Sequence, residues 1–254
     1  MKLPLHAVLL IFAALFCGNT YAQKKYPTFP SKPKFARPAE IGQTAIVIDE
    51  TLSVLRKNPS LFSDSFQRMH RGRKVQILAV TEADGVKFYK VTAPPSNFGW
   101  VQADAVFGKF RPADEERLAK LVQATDGFDQ VEIAVEFFTL YPDSKFRPTL
   151  LLLFGDVLEE VSVKLSKDAT SRLNRKEMAA SAAPLHSYYL NFVSLDRYRK
   201  LGVVYQFNPA AKQFHYDGTS WKEIVAKFPA SPEAAEAKKR LESLKAKMEK
   251  LTAK

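Results

Sequence analysis

The side chains that could do chemistry are few. The cysteine count is one, and Cys17 lies in the first apolar stretch, so thiol chemistry beyond it is excluded. His70, His186 and His215 stand far apart, without the i, i+4 spacing that places two imidazoles on one metal. His70 is surrounded by Arg68, Arg71 and Arg73, whose charge opposes both its protonation and a bound cation. Asp114-Glu115-Glu116 and Glu159-Glu160 are neighbouring carboxylates, but adjacent helix positions point in different directions. Both runs read as solvated faces. Neither Gly-x-Ser-x-Gly nor a phosphate-cradling glycine loop occurs. The expectation is a protein that is not an enzyme and needs no cofactor or metal.

Aromatic side chains are the stronger signal. Tyr89, Phe98 and Trp100 cluster within one short segment and are the candidates for ligand binding. Such rings stack on a peptide or sugar while leaving a polar edge wet. A second reading has Tyr89 and Trp100 closing a small β-barrel. Tyr198, Tyr205 and Tyr216, among Phe207 and Phe214, are candidates for a partner-binding face, with a satellite core as the competing reading.

The elements that must position these rings begin after an address. Lys2, the apolar run Ala7–Phe16 and Thr20-Tyr21-Ala22 before Gln23 read as a signal peptide over 1–22. The run is short of the roughly 20 residues of a membrane span. Phe16 immediately before Cys17 argues against a lipidated cysteine. The chain is therefore expected to be exported, periplasmic or secreted after cleavage near Ala22, without a transmembrane segment in its mature form. Residues 23–41 carry Pro27, Pro30, Pro33 and Pro38 among lysines, which is linker composition.

The formal net charge is +11. Its spread along the chain, and export, argue against nucleic acid as the partner. Peripheral contact with an anionic envelope surface is the expectation instead.

Over 42–108 the period is that of short strands. Thr44–Ile48, Leu52–Arg56 and Lys74–Val80 are followed by Ala83-Asp84-Gly85, a hairpin turn, and by Lys87–Val91. Gly99-Trp100-Val101 and Ala105-Val106-Phe107 complete the set. Leu52-x-Val54-x-Arg56 with Pro59-Ser60, Gly72-x-x-Val75, Phe88-Tyr89-x-Val91 and Gly99-Trp100-Val101 resemble the bacterial SH3-like domain family. The resemblance covers Thr44 to Phe107. It departs at Lys57-Asn58, where the family commonly has Ser-Gly, and at the long loop Leu61–Arg71. Members often bind cell-wall peptides or act as spacers, so it implies binding and no activity.

From 112 to 254 the period is helical. Asp114, Glu115 and Glu116 start a helix at the favourable end of its dipole. A second helix spans Asp129 to Leu140 and is broken at Tyr141-Pro142-Asp143-Ser144. Ser144 can cap the next helix, whose Phe146, Leu150, Phe154, Leu158 and Val161 follow one face. Leu151, Leu152 and Leu153 widen that face, so contact on more than one side is expected.

Phe228-Pro229-Ala230-Ser231 repeats the corner before a last helix with Leu241, Leu244, Met248 and Leu251. Aromatic-Pro-x-Ser between helices resembles tetratricopeptide-like repeats of envelope proteins, over Asp114–Lys167 and Tyr198–Leu251. Two copies fall short of the three or so that a free solenoid needs. Residues 167–184 read as a flexible connection, and Val203–Phe207 with Lys212–Tyr216 as an inserted hairpin.

The expected architecture is multidomain: a small all-β SH3-like barrel and a mainly α tetratricopeptide-like helical domain. The expected role is a non-catalytic binding or scaffold module for a cell-wall peptide or a protein partner. An accessory module or divergent member of a cell-wall hydrolase system is the alternative.

Overall fold

Alternation of apolar and polar residues builds the first half of the chain into a curled antiparallel sheet. The computed structural model describes residues 37–93 and 97–249. The chain divides into two units, 1–37 and 38–254, and every element described belongs to the second. The expected signal peptide and most of the expected linker lie outside the described residues.

The strands are β1 (Thr44–Val47), β2 (Val54–Arg56), β3 (Ser65–Arg68), β4 (Lys74–Ala83), β5 (Val86–Ala93), β6 (Asn97–Gln102) and β7 (Val106–Phe107). Their order across the sheet is β3-β2-β6-β5-β4-β1-β7. β4 and β5 form the hairpin read from Asp84-Gly85, and both turn residues adopt positive φ. Val75, Ile77, Tyr89, Val91 and Val101 point inward and close a core with Ala45, Val47, Leu55 and Met69. The long loop expected at Leu61–Arg71 is a correction: it contains β3, paired with β2. Ser65-Phe66-Gln67-Arg68 lacks the apolar alternation of a half-buried strand, because β3 is a mostly exposed edge.

The second half contains α1 (Asp114–Ala124), α2 (Gly127–Leu140), α3 (Arg147–Arg172), α4 (Arg175–Ser181), α5 (Leu185–Leu190) and α6 (Asp196–Arg199). The hairpin β8 (Tyr205–Asn208) and β9 (Gln213–Tyr216) follows, then α7 (Thr219–Lys227) and α8 (Glu233–Glu249). The flexible connection expected over 167–184 is largely helical: α3 runs on to Arg172, and Asn174 caps α4 by accepting from the Lys176 and Glu177 amides. The polar, Ala/Ser-rich composition that suggests a linker also holds Arg175, Lys176, Glu177, Met178 and Ala179, a run of strong helix formers.

α3 is the organiser. Leu150 faces one cluster with α1, α2 and the sheet, while Leu151, Leu158, Val161 and Leu165 face another with the hairpin, α7 and α8. The widened apolar face thus meets two sides, as expected. Ser166 Oγ and Glu159 Oε2 accept from the Phe214 and Tyr216 amides, so this helix closes one edge of the two-stranded sheet with side chains.

One apolar cluster bridges the expected boundary at 108–112. Ile46, Ile48 and Phe107 of the sheet region pack with Leu118, Val122, Ile133, Phe137 and Leu150. Two charged groups reinforce it. Arg71 donates to the Ile48 carbonyl, to Glu132 at 2.6 Å and to Asp129 at 3.3 Å. Buried Asp114 accepts from the Gly108 amide at 3.0 Å, Arg111 Nε at 2.8 Å and Arg117 Nη1 at 3.0 Å.

Helix α7 crosses α3 at Gly155. A Cβ there would lie 2.6 Å from Trp221 Cε2 and 2.7 Å from Ser220 Oγ, inside contact distance of a rigid ring. Gly155→Ala is therefore expected to lower stability by about 1–3 kcal/mol through overpacking. That outweighs the roughly 1 kcal/mol that alanine gains in a helix. Urea unfolding followed by far-UV circular dichroism measures it, and an unchanged or raised midpoint would refute the crossing.

Candidate functional site

Strand register brings together side chains that the sequence keeps far apart. Arg56 of β2 and Lys90 of β5 are the Cα partners of Trp100 on either side of β6. Two residues along β6, Phe98 pairs with Thr92, which pairs with Gln76. Strand periodicity puts Phe98 and Trp100 on the same, outward face. Phe98 is 59% exposed and Trp100 half-buried. None of these six positions is acidic.

Gly99 makes the first row possible. A Cβ on it would stand 2.7 Å from Leu55 Cγ and 2.9 Å from the Arg56 carbonyl, so only glycine lets β6 run this close to β2. Arg56 is held by a bond from Nη1 to the Ser63 carbonyl at 2.9 Å, while its Nε is buried without a hydrogen-bond partner. Among the described residues, neither Arg56 nor Lys90 forms an ion pair. Phe66 on edge strand β3 and Phe62 before it are also exposed. The Phe62 loop is hooked to the β4–β5 turn by Asp84, which accepts from Ser60 Oγ and the Leu61 amide.

Tyr89 does not share this face. It points into the sheet's core, fully buried, with its ring edge-on to Phe110 at 6.3 Å and the Arg111 guanidinium 5.8 Å from its centroid. It is one residue out of phase with Lys90, which decides its side of the sheet. Of the three ligand-binding candidates, the structure leaves Phe98 and Trp100 able to meet a ligand.

The expected partner-binding tyrosines are core residues. Tyr198 and Tyr216 are buried, and Tyr205 stacks edge-on against Tyr198 at 5.7 Å. Tyr216 lies edge-on to Trp221 at 5.5 Å, and its hydroxyl accepts from the Ser220 amide. Burial pushes the Tyr216 phenol up to about 12. The aromatic concentration is thus part of the main apolar cluster of the helical half, packed with Leu158, Val161 and Trp221.

Beside it, Phe138, Leu151, Phe154, Leu201, Val203 and Val204 line a cleft of about 270 Å³. That is just below the range of about 300–1,000 Å³ typical of small-molecule pockets and suits one bulky side chain. Arg147 forms part of its wall, bonded to Glu223 at 2.9 Å and to the Phe138 carbonyl at 3.1 Å.

Two carboxylates overturn the solvated-face expectation. Asp114 is buried at the sheet–helix joint. Glu159, mostly buried, accepts from Lys247 at 2.7 Å and the Tyr216 amide at 2.9 Å, and its Oε1 lies 2.9 Å from His215 Nδ1. Burial pushes the Glu159 carboxyl up, but His215, Lys247 and the amide overcome it and hold the group at about 2. The imidazole beside it is itself buried, so the cluster ties α3, β9 and α8 together.

β9 buries Phe214, His215 and Tyr216 in succession, so no alternation in the sequence marks His215 as a partner of α3. His186 is exposed. His70 is exposed and lies 3.6 Å from Glu50. Among the described residues, no group of three or more His, Cys, Asp or Glu could hold a metal ion. No helix among them is long and apolar enough to cross a membrane.

In comparisons with known proteins, the chain matches no family model, no curated protein sequence and no solved structure.

Proposed function

We propose that this chain is an exported envelope protein acting as a non-catalytic binding or scaffold module. In this reading an SH3-like barrel contacts a cell-wall peptide or protein through the outward face of β6, and a tetratricopeptide-like helical region contacts a protein partner. The carrying observation is Phe98, largely exposed beside the half-buried Trp100 on β6. A large exposed ring next to a second one costs solubility, and such pairs mark contact sites. The strand order, the Asp84-Gly85 hairpin and the Gly99-Trp100-Val101 strand support the SH3-like reading. The two aromatic-Pro-x-Ser corners, each between packed helices, support the helical one, and the cleft at Phe138 and Phe154 is its contact point.

The hydrolase-linked alternative gains the His215–Glu159 pair. His215 is buried, and Glu159, at the edge of a small cleft, is already engaged by three donors, which favours a structural role.

Sedimentation with purified wall sacculi at low salt tests the proposal. The wild-type protein is expected in the pellet, with Phe98→Ala moved largely to the supernatant. A wild-type protein that stays wholly in the supernatant sinks the wall-binding half.

A further inference from the structure

The row Arg56–Trp100–Lys90 has a chemical preference that a generic contact surface lacks. Its two cations lie on strands either side of the indole, and two strand spacings put their backbones about 10 Å apart. Neither has a carboxylate partner among the described residues. The Arg56 guanidinium spends one donor on the Ser63 carbonyl and keeps a buried Nε with no acceptor. Lys90, Gln76 and Lys74 continue the exposed polar surface across β5 and β4. Phe98 extends the aromatic platform along β6.

A ligand complementary to this row carries two anionic groups that bracket a ring with an apolar face. The cations take the charges, and the ring lies on the indole and on Phe98. Purely aliphatic ligands leave both cations without counter-charges, and neutral sugars do the same. An acidic peptide supplies the charges but need not present a ring with an apolar face between them. A polymer of acidic sugars supplies both at a regular spacing, with the C–H faces of its rings exposed. The protein's net charge of +11 steers such a polymer toward it.

We propose that the β2–β6–β5 face binds an anionic polysaccharide, with Trp100 and Phe98 as the stacking platform and Arg56 and Lys90 as the anion clamps. The proposal rests on the binding reading above and names the ligand class of that same face.

Affinity electrophoresis in gels containing polygalacturonate, dextran or poly-glutamate separates the possibilities. Wild-type protein is expected to be retarded by polygalacturonate, about tenfold more weakly by poly-glutamate, and not by dextran. Phe98→Ala and Lys90→Gln, both at exposed positions, are each expected to weaken the polygalacturonate interaction several-fold while leaving circular dichroism unchanged. Lys90→Gln should also flatten its dependence on salt.

Equal retardation by poly-glutamate overturns the sugar assignment in favour of an acidic peptide. Retardation insensitive to both variants overturns the site. Pelleting with sacculi but no retardation by polygalacturonate overturns this proposal alone, whereas retardation without pelleting overturns the wall-binding reading and leaves the ligand class standing.

Discussion

Asp114→Ala is expected to cost about 3–5 kcal/mol of stability, because it removes one partner of a buried ion pair and leaves the other behind. The carboxylate is buried between Arg111, itself mostly buried, and the more exposed Arg117. Its Oδ2 also accepts from the Gly108 amide, the last turn before α1. Arg111 is committed elsewhere: it donates to the Ala103 and Val106 carbonyls and lies against Tyr89, Phe107 and Phe110. It cannot follow its lost partner into solvent without vacating those rings.

Asp114→Asn keeps an acceptor for the amide and should lose less. Arg117→Ala, at a half-exposed position, should stay within about 1 kcal/mol. Guanidinium unfolding monitored by circular dichroism ranks the three. A loss below about 1 kcal/mol for the alanine variant would show that the joint does not depend on this carboxylate.

Acid should weaken the second joint. Glu159 titrates at about 2 in the folded chain against an ordinary 4.5. A group depressed on folding adds stability above its unfolded value and loses it as the pH falls through the folded one. The contribution is therefore complete above about pH 5 and disappears between about 4.5 and 2. The gap corresponds to about 3 kcal/mol.

Glu159→Gln is expected to be less stable than wild type by roughly that amount at pH 7 and to converge on it near pH 2. Because Lys247 and His215 both meet this oxygen, the variant should loosen α8 first, and amide exchange in Ala234–Leu244 should rise before that of the sheet. Parallel stability–pH curves for the two proteins would rule out the proposed linkage.

Much of the architecture was legible because it is encoded within a few residues. Val75-x-Ile77 alternation, the Asp84-Gly85 turn and the acidic start at Asp114 each depend on local backbone preference and on the period of one element. The apolar breadth of Leu150–Leu153 correctly implied that α3 has two packed sides. Edge strand β3 and the helix over Arg175–Ser181 were missed for the opposite reason. Exposed elements carry no apolar stripe, so their composition is that of loops.

The site was half legible. Clustering of aromatics points to Phe98 and Trp100, yet the same reasoning points to Tyr89, Tyr198 and Tyr216, which are buried. An aromatic residue looks the same in sequence whether its ring closes a core or faces water. Its side of the sheet follows from register, which partner strands settle. The acid runs show the same limit. Asp114 and Glu116 are two residues apart on one helix, but only Asp114 turns into the joint.

By itself, then, the sequence determined the period of the half-buried segments, the sharper turns between them and an excess of positive charge, because these are properties of neighbours along the chain. Which carboxylates are buried, which rings are left exposed, and that Arg56 and Lys90 flank Trp100 were decided only by the tertiary structure. Residues 56, 90 and 100 become neighbours through hydrogen bonding between β2, β6 and β5, an arrangement no local pattern in any one strand contains.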